Sequence, residues 1–183
     1  MKLKILIKRF KDDDGKYLVD FPKIIKKGEW VDLHVAQECV LDAPQAGTLK
    51  GSEAKHRDVV SDVTYIPLGI AMRLPDGFEA ILAPRSSAAQ KMGIMCANSI
   101  GIIDNSYSGN NDQWMFPAVT LRRTSIAKNT RLCQFRIQLS QKATVWQKIK
   151  WFFSSGIELI EVDFLDAEDR HGFGSTGTTN LKE

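Results

Sequence analysis

The stretch Leu68–Leu82, LGIAMRLPDGFEAIL, decides the fold class. Leu68, Ile70, Met72 and Leu74 alternate with small or polar residues, and Phe78, Ala80 and Leu82 resume the alternation after Pro75-Asp76-Gly77. A side-chain period of two belongs to a β-strand and Pro-Asp-Gly is turn chemistry, so the segment predicts a β-hairpin. The same rhythm recurs outward in both directions. Leu3, Ile5 and Ile7 alternate in MKLKILIKRFK ahead of the turn DDDGK, and GEWVDLHVAQ, Gly28 to Gln37, embeds Asp32 among Trp30, Val31, Leu33 and Val35. Downstream, Trp114, Phe116, Ala118, Val119 and Leu121 read as a strand. In RLCQFRIQL, Cys133, Phe135, Ile137 and Leu139 oppose Leu132, Gln134, Arg136 and Gln138, and Ile157, Leu159, Glu161 and Asp163 close the set. Many short strands separated by turn signals predict an all-β sandwich or barrel.

Two segments break the rhythm. Val40 to Ser61 is polar and carries Pro44, Gly47 and Gly51, which predicts loops between short strands; His56 and Asp58 there are too isolated to argue for metal. TVWQKIKWFFSS, Thr144 to Ser155, places Val145, Ile149, Phe152 and Phe153 on a helical stripe behind a Thr144 cap, which predicts a short amphipathic helix or an irregular insertion. Packing onto the domain or onto a sister subunit is the expectation. Trp146, Trp151 and the neighbouring lysines leave a lipid-facing role as the alternative.

A chain of 183 residues is compatible with one domain and long enough for a sizeable core. Its net charge of +3 is too small for a protein that coats nucleic acid, so neither nucleic acid nor membrane is expected as a partner. Cys39, Cys96 and Cys133 are odd in number, far apart and without metal-ligand spacing, which predicts buried reduced thiols and a cytoplasmic setting. The amino-terminal Lys/Leu/Ile alternation is neither a signal peptide nor a membrane span.

The chemistry concentrates in PRSSAAQKMGIMCANSIGIIDNSYSG, Pro84 to Gly109. Arg85, Ser86 and Ser87 combine a planar fork of donors with two adaptable hydroxyls, a set suited to phosphate oxygens; the alternative is that the serines cap a helix beginning in SSAAQKM. Asp104 follows the apolar Ile100, Ile102 and Ile103, where a carboxylate at the end of a buried strand would be held in place as a base. It also fits the first position of a turn, IDNSYSG. Asp32 needs a partner if buried and none at a strand edge. Gln134 and Arg131, at the start of their strand, either reach a ligand or supply ordinary surface polarity. The carboxy-terminal AEDRHGFGSTGTTNLKE has almost nothing to bury, yet Arg170 precedes a glycine-flanked Phe173 and the pair Ser175 and Thr176, where glycines would let backbone N–H groups converge on an anion.

In order along the chain, these pieces resemble the trimeric dUTPases. The resemblance rests on Asp32-Leu33, PRSSAAQKMGI (Pro84 to Ile94), NSIGIIDNSYSG (Asn98 to Gly109), RLCQ (Arg131 to Gln134) and DRHGFGSTG (Asp169 to Gly177), and extends from about Gly28 to Gly177. Trp30 stands where the commoner family pattern has glycine, and Arg170 lies two residues nearer to the Phe than is usual. The resemblance implies a jelly-roll β domain over residues 1–163, a carboxy-terminal arm over 164–183 that closes an active site, and a homotrimer with shared active sites. It implies hydrolysis of dUTP to dUMP and pyrophosphate, which limits uracil in DNA and supplies dUMP. In that scheme Asp104 activates the attacking water. Arg85, Ser86, Ser87, Gln134, Arg170, Ser175 and Thr176 bind the phosphates, while Asn98, Ile102, Ile103, Tyr107 and Phe173 hold base and sugar. Mg2+ is the implied cofactor, touched by Asp32 through water. A rival of the same fold, a dCTP deaminase, relies on a glutamate, and no Glu lies between Glu79 and Glu158. A rival of another class is a regulatory protein that senses dUTP in the same pocket.

Overall fold

Apolar alternation becomes burial along most of the chain. The structure is a computed structural model, which describes residues 1–25, 27–48, 57–60, 62–170 and 172. Strand β1 (Leu3–Arg9) turns Leu3, Ile5 and Ile7 into the core and pairs in parallel with β14 (Ile157–Glu161) from Leu3 opposite Ile157 to Ile7 opposite Glu161. Its other edge pairs antiparallel with β7 (Ile70–Arg73).

A second sheet runs in the order β10 (Gly101–Ile103), β8 (Phe78–Pro84), β13 (Arg131–Leu139), β2 (Val31–His34), with antiparallel neighbours throughout. A third joins β6 (Thr64–Pro67), β11 (Met115–Thr120) and β9 (Ile94–Cys96). Two ribbons complete the set: β3 (Cys39–Leu41) with β12 (Thr124–Ile126), and β4 (Gln45–Thr48) with β5 (Arg57–Val60). The all-β class expected from the alternation is the class observed. Between the sheets lie Phe78, Phe116, Trp114 and Phe135, the last two edge to face with ring centroids 5.4 Å apart. Cys39, Cys96 and Cys133 are free and buried in this core, and burial pushes all three thiols up.

The predicted hairpin at Leu68–Leu82 is not formed. Both strands exist, but β7 pairs with β1 while β8 pairs with β10 and β13. The Pro75–Gly77 turn, closed by the Phe78 amide donating to the Pro75 carbonyl, therefore carries the chain from one sheet into another. Ile70, Ala71 and Met72 are all buried, so β7 has no solvent face to keep beside a hairpin partner. The strand predicted over Gly28–Gln37 shortens to Val31–His34.

Helix α1 (Val145–Phe152) forms where the stripe predicts it, started by a capping box in which the Gln147 amide donates to the Thr144 hydroxyl and the Thr144 amide donates to the Gln147 side chain. On the single chain its stripe is not the contact with the body. Val145, Phe152 and Phe153 of the apolar stripe are largely exposed, and the contact with the body is made by Trp151, whose ring lies 5.3 Å from that of Phe78. Gln147 lies against Gly77, where a Cβ would overlap its side chain, so helix and turn are fitted to each other.

Phe135→Ala should lower stability by about 3–5 kcal/mol in chemical denaturation, because it opens a cavity against Trp114 that the sheets cannot close. A loss below about 1 kcal/mol would mean that the site collapses around the missing ring.

Candidate active site

The second sheet carries polar chemistry at its two ends. At one end Asp32 on β2 lies opposite Gln134 on β13, and Gln134 lies opposite Ala83 on β8, just before Arg85. Asp32 is not a bare carboxylate. Arg85 Nε stands 3.1 Å from its Oδ1 and Arg131 Nη1 3.3 Å from its Oδ2, so two guanidinium groups share one partly buried acid. The Arg85 amide donates to the Leu132 carbonyl, which fixes the backbone from which Ser86 and Ser87 extend. Ser87 begins a five-residue π-helical turn, Ala88–Met92, but makes no side-chain cap hydrogen bond. The helix-cap alternative is therefore not how Ser87 is used. Arg122 instead secures the other end of the turn, donating from Nη2 to the carbonyls of Gln90 and Lys91.

At the opposite end, β10 delivers Asp104 to the surface directly after Ile103. Asn105, which sequence patterning marks only as a turn residue, is the clasp of this end. Its Nδ2 donates to the carbonyls of Leu74, Pro75 and Phe78, at 3.2, 2.9 and 3.3 Å, and so ties the Asp104 turn to the crossing between sheets. Tyr107 donates its amide to the Asp104 carbonyl and its hydroxyl to the Gln113 carbonyl. Burial, with Asp112 and Asp169 adding negative charge, pushes its phenol up to about 12, so it is a neutral donor at any physiological pH. Asn98 lies exposed in the turn leading into β10, next to Ser99 at φ 61; Ile102 is exposed and Ile103 half-buried. Ile102, Ile103 and Asp104 thus follow one another along β10 and off its end, whereas Asn98 precedes Gly101, which pairs with Leu82, and so lies toward the Arg85 end of β8.

The root of the arm docks on this same end. Leu165 is fully buried and Arg170 Nη1 lies 2.7 Å from Asp104 Oδ2. Beyond residue 164 the described chain thus stays on the body as far as Arg170. Phe173, Ser175 and Thr176 lie outside the described residues.

One chain does not unite the two ends. Ile103, just before Asp104, pairs with Ala80, whereas Arg85 follows Pro84 at the far end of the same strand. Five residues of strand at about 3.3 Å each put roughly 17 Å between those levels. Among the described residues, no group of three or more His, Cys, Asp and Glu side chains is placed to hold a metal ion. The donors at the phosphate end, one carboxylate already shared by two arginines, fit a cation carried by phosphate and touched through water, and do not fit an all-protein cage.

An all-β domain with an arginine-bearing end at Arg85 and Arg131 and a carboxylate at the other end, Asp104, is the class defined by this geometry. The dUTPase family model matches residues 55–148. The SPbeta prophage-derived deoxyuridine 5'-triphosphate nucleotidohydrolase YosS of Bacillus subtilis (strain 168) is 41% identical over 166 residues, covering 89% of this chain and 96% of that protein. The deoxyuridine 5'-triphosphate nucleotidohydrolase of Finegoldia magna is 35% identical over 118 residues, covering 62% of this chain and 71% of that protein. The fold matches the dUTPase of Streptococcus mutans with a TM-score of 0.54 at 19% identity, over 68% of this chain and 88% of that one. It matches a mutant dUTPase of Staphylococcus bacteriophage 80alpha, solved with dUpNHpp, with a TM-score of 0.54 at 16% identity, over 94% and 98% of the two chains. The chain belongs to the dUTPase family. The enzyme class implied by the motif resemblance, a dUTP diphosphatase, is the class of that family.

Beside Asp32, His34 has a buried Nδ1 with no hydrogen-bond partner among the described residues. Burial lowers its pKa below the ordinary 6.5, against the opposing pull of Asp20 and Asp32. The unfolded chain then binds more protons than the folded one just below that value, so stability is full above about pH 6.5 and falls as pH drops toward the lower folded value. The urea midpoint should fall between about pH 7.5 and about pH 5.5, and His34→Leu should shrink that fall. An identical fall in both proteins would remove His34 from the pH dependence.

Proposed function

We propose that the protein hydrolyses dUTP to dUMP and pyrophosphate in sites completed between copies of the chain. The observation that carries this reading is that the second sheet holds Arg85, Gln134 and Asp32 at one end, with Ser86 and Ser87 just beyond, and Asp104 and Tyr107 at the other; the first end would take the phosphates and the second would supply the acid and hold the sugar. A triphosphate spanning the two roles would need the phosphate end of one copy beside the acid end of another. A homotrimer, the assembly implied by the family resemblance, provides that juxtaposition. Exposed apolar side chains support a partner surface: Tyr65 and Met95 flank Pro117 and Val119 on one face of the third sheet, and Ile100 and Ile102 stand out nearby in sequence.

In the reaction, Asp104 accepts a proton from water as the water oxygen bonds to the α-phosphorus. The bond from that phosphorus to the bridging oxygen breaks, and pyrophosphate leaves with the electron pair. In the structure Asp104 is occupied by Arg170, so substrate would draw the guanidinium onto phosphate and free the carboxylate for water. Arg85 would exchange part of its pairing with Asp32 for phosphate oxygens, where its fork gives two parallel donors. Mg2+, when bound by the phosphates, supplies charge neutralisation, and Asp32 would hold water of its shell. Asn98 and the backbone at Ile102 and Ile103 would read the uracil edge, Tyr107 would pack on the deoxyribose, and Phe173, Ser175 and Thr176 would complete the closure from the arm. Leaving a buried polar group unpaired against cytosine would favour uracil by about 10⁴-fold.

Pyrophosphate release with Mg2+ should be confined to dUTP among dUTP, dCTP, dTTP and UTP. Pyrophosphate release from dCTP would show that the base edge is not read, ammonia release from dCTP would point to a deaminase, and tight binding of dUTP without release would point to a nucleotide sensor. Asp104→Asn should lose about 10²- to 10⁴-fold in kcat while still binding dUTP.

The shared-site geometry has its own test. Asp104→Asn and Arg85→Ala, each inactive as a pure assembly, should regain activity when refolded together, because some sites then receive an intact end from each chain. No recovery in verified mixed assemblies would place both ends in one chain's site.

A further inference from the structure

Asp112 is a carboxylate with 1% of its surface exposed, in the loop that follows Tyr107. An ionised carboxylate in that position is costly unless its oxygens are fully engaged. They are engaged by backbone from two distant parts of the chain. Oδ2 accepts the Gly109 amide at 2.8 Å and the Arg170 amide at 2.9 Å, and Oδ1 accepts the Arg170 amide at 3.1 Å.

The neighbouring residues repeat the clasp in the other direction. Asp169 accepts the Asn111 amide on Oδ1 and the Asn111 side-chain amide on Oδ2, at 2.8 and 2.6 Å, and the Leu165 amide donates to Asn110 Oδ1 at 3.0 Å. The fit is close enough to exclude a methyl group: a Cβ on Gly109 would overlap the side chain and backbone of Asp169. A Cβ on Gly172 would come within 2.7 Å of the Tyr107 ring. Loop and arm root are therefore shaped to each other, and the Arg170 side chain departs from a fixed backbone toward Asp104.

We propose that Asp112 is a positioning residue, which by holding the Arg170 amide fixes where the arm leaves the body and so delivers Arg170 to the Asp104 end of its own chain. Its kinetic consequence rests on the dUTP hydrolysis reading; the anchoring does not. Asp112 itself touches neither phosphate nor water in this scheme. It acts through Arg170.

Two variants of the full chain perturb the clasp by unrelated means. Asp112→Asn replaces one acceptor oxygen with a donor facing an amide, whereas Gly109→Ala removes no charge and evicts the arm root by bulk alone. The Gly109 backbone is not left-handed, so alanine is conformationally admissible there. Both variants should speed deuterium uptake at the Arg170 amide and lower kcat for dUTP by about tenfold to a hundredfold, with KM changed by less than about threefold. In an Arg170→Ala background the same two substitutions should add little further loss in kcat. A residue that merely stabilised the loop would give the same loss in both backgrounds, which would overturn the proposal, as would unchanged exchange at Arg170. If Asp112→Asn fails to fold, Gly109→Ala decides alone. A wild-type protein that does not hydrolyse dUTP would overturn the functional reading, and the exchange measurement would still decide the anchor.

Discussion

Strand β8 is the constraint on which the rest of the structure depends. It is hydrogen-bonded along both edges, to β10 over Ala80–Leu82 and to β13 over Phe78–Pro84. A strand paired on both sides has no freedom to slide, because a one-residue slip would turn Phe78, Ala80 and Leu82 out of the core. The same register then sets the level of every polar group at the sheet ends. Gln134 meets Asp32 at one end because it meets Ala83, and Asp104 emerges at the other because Ile103 meets Ala80.

Polar side chains at these ends are positioned by engagement rather than by size. Asn105 donates to three carbonyl groups, and Asp112 accepts from two backbone segments. Such groups are costly when unpaired in a partly dry environment, so each one selects the arrangement that satisfies it. The ion pairs between Arg85 and Asp32 and between Arg170 and Asp104 are of another kind, since both arginines are partly exposed and such pairs hold their partners only weakly.

Much of this was legible beforehand. Period-two alternation located β1, β8 and β13, since burial of one face of a strand writes itself directly into composition. The Thr144 cap and the apolar stripe behind it announced α1 for the same local reason. The hairpin at Pro75–Gly77 was misread because a turn signal reports that the chain bends, not which strand lies beside it afterward. The contact of α1 with the body was not legible: Val145, Phe152 and Phe153 of the apolar stripe stand exposed on the single chain, while Trp151 meets the Phe78 ring, a pairing that spacing alone could not reveal.

The candidate site divides along the same line. Residue order alone determined the family and brought Arg85, Ser86, Ser87 and Asp104 forward as candidates, because each depends on the chemistry of a short contiguous motif. Only the tertiary structure decided that the two motif groups stand at opposite ends of one sheet, that Asn105 and Asp112 are clasps, and that the arm root lies on the Asp104 end of its own chain. Those facts arise from strand register and from hydrogen bonds between residues tens of positions apart, and no local pattern of side chains encodes them.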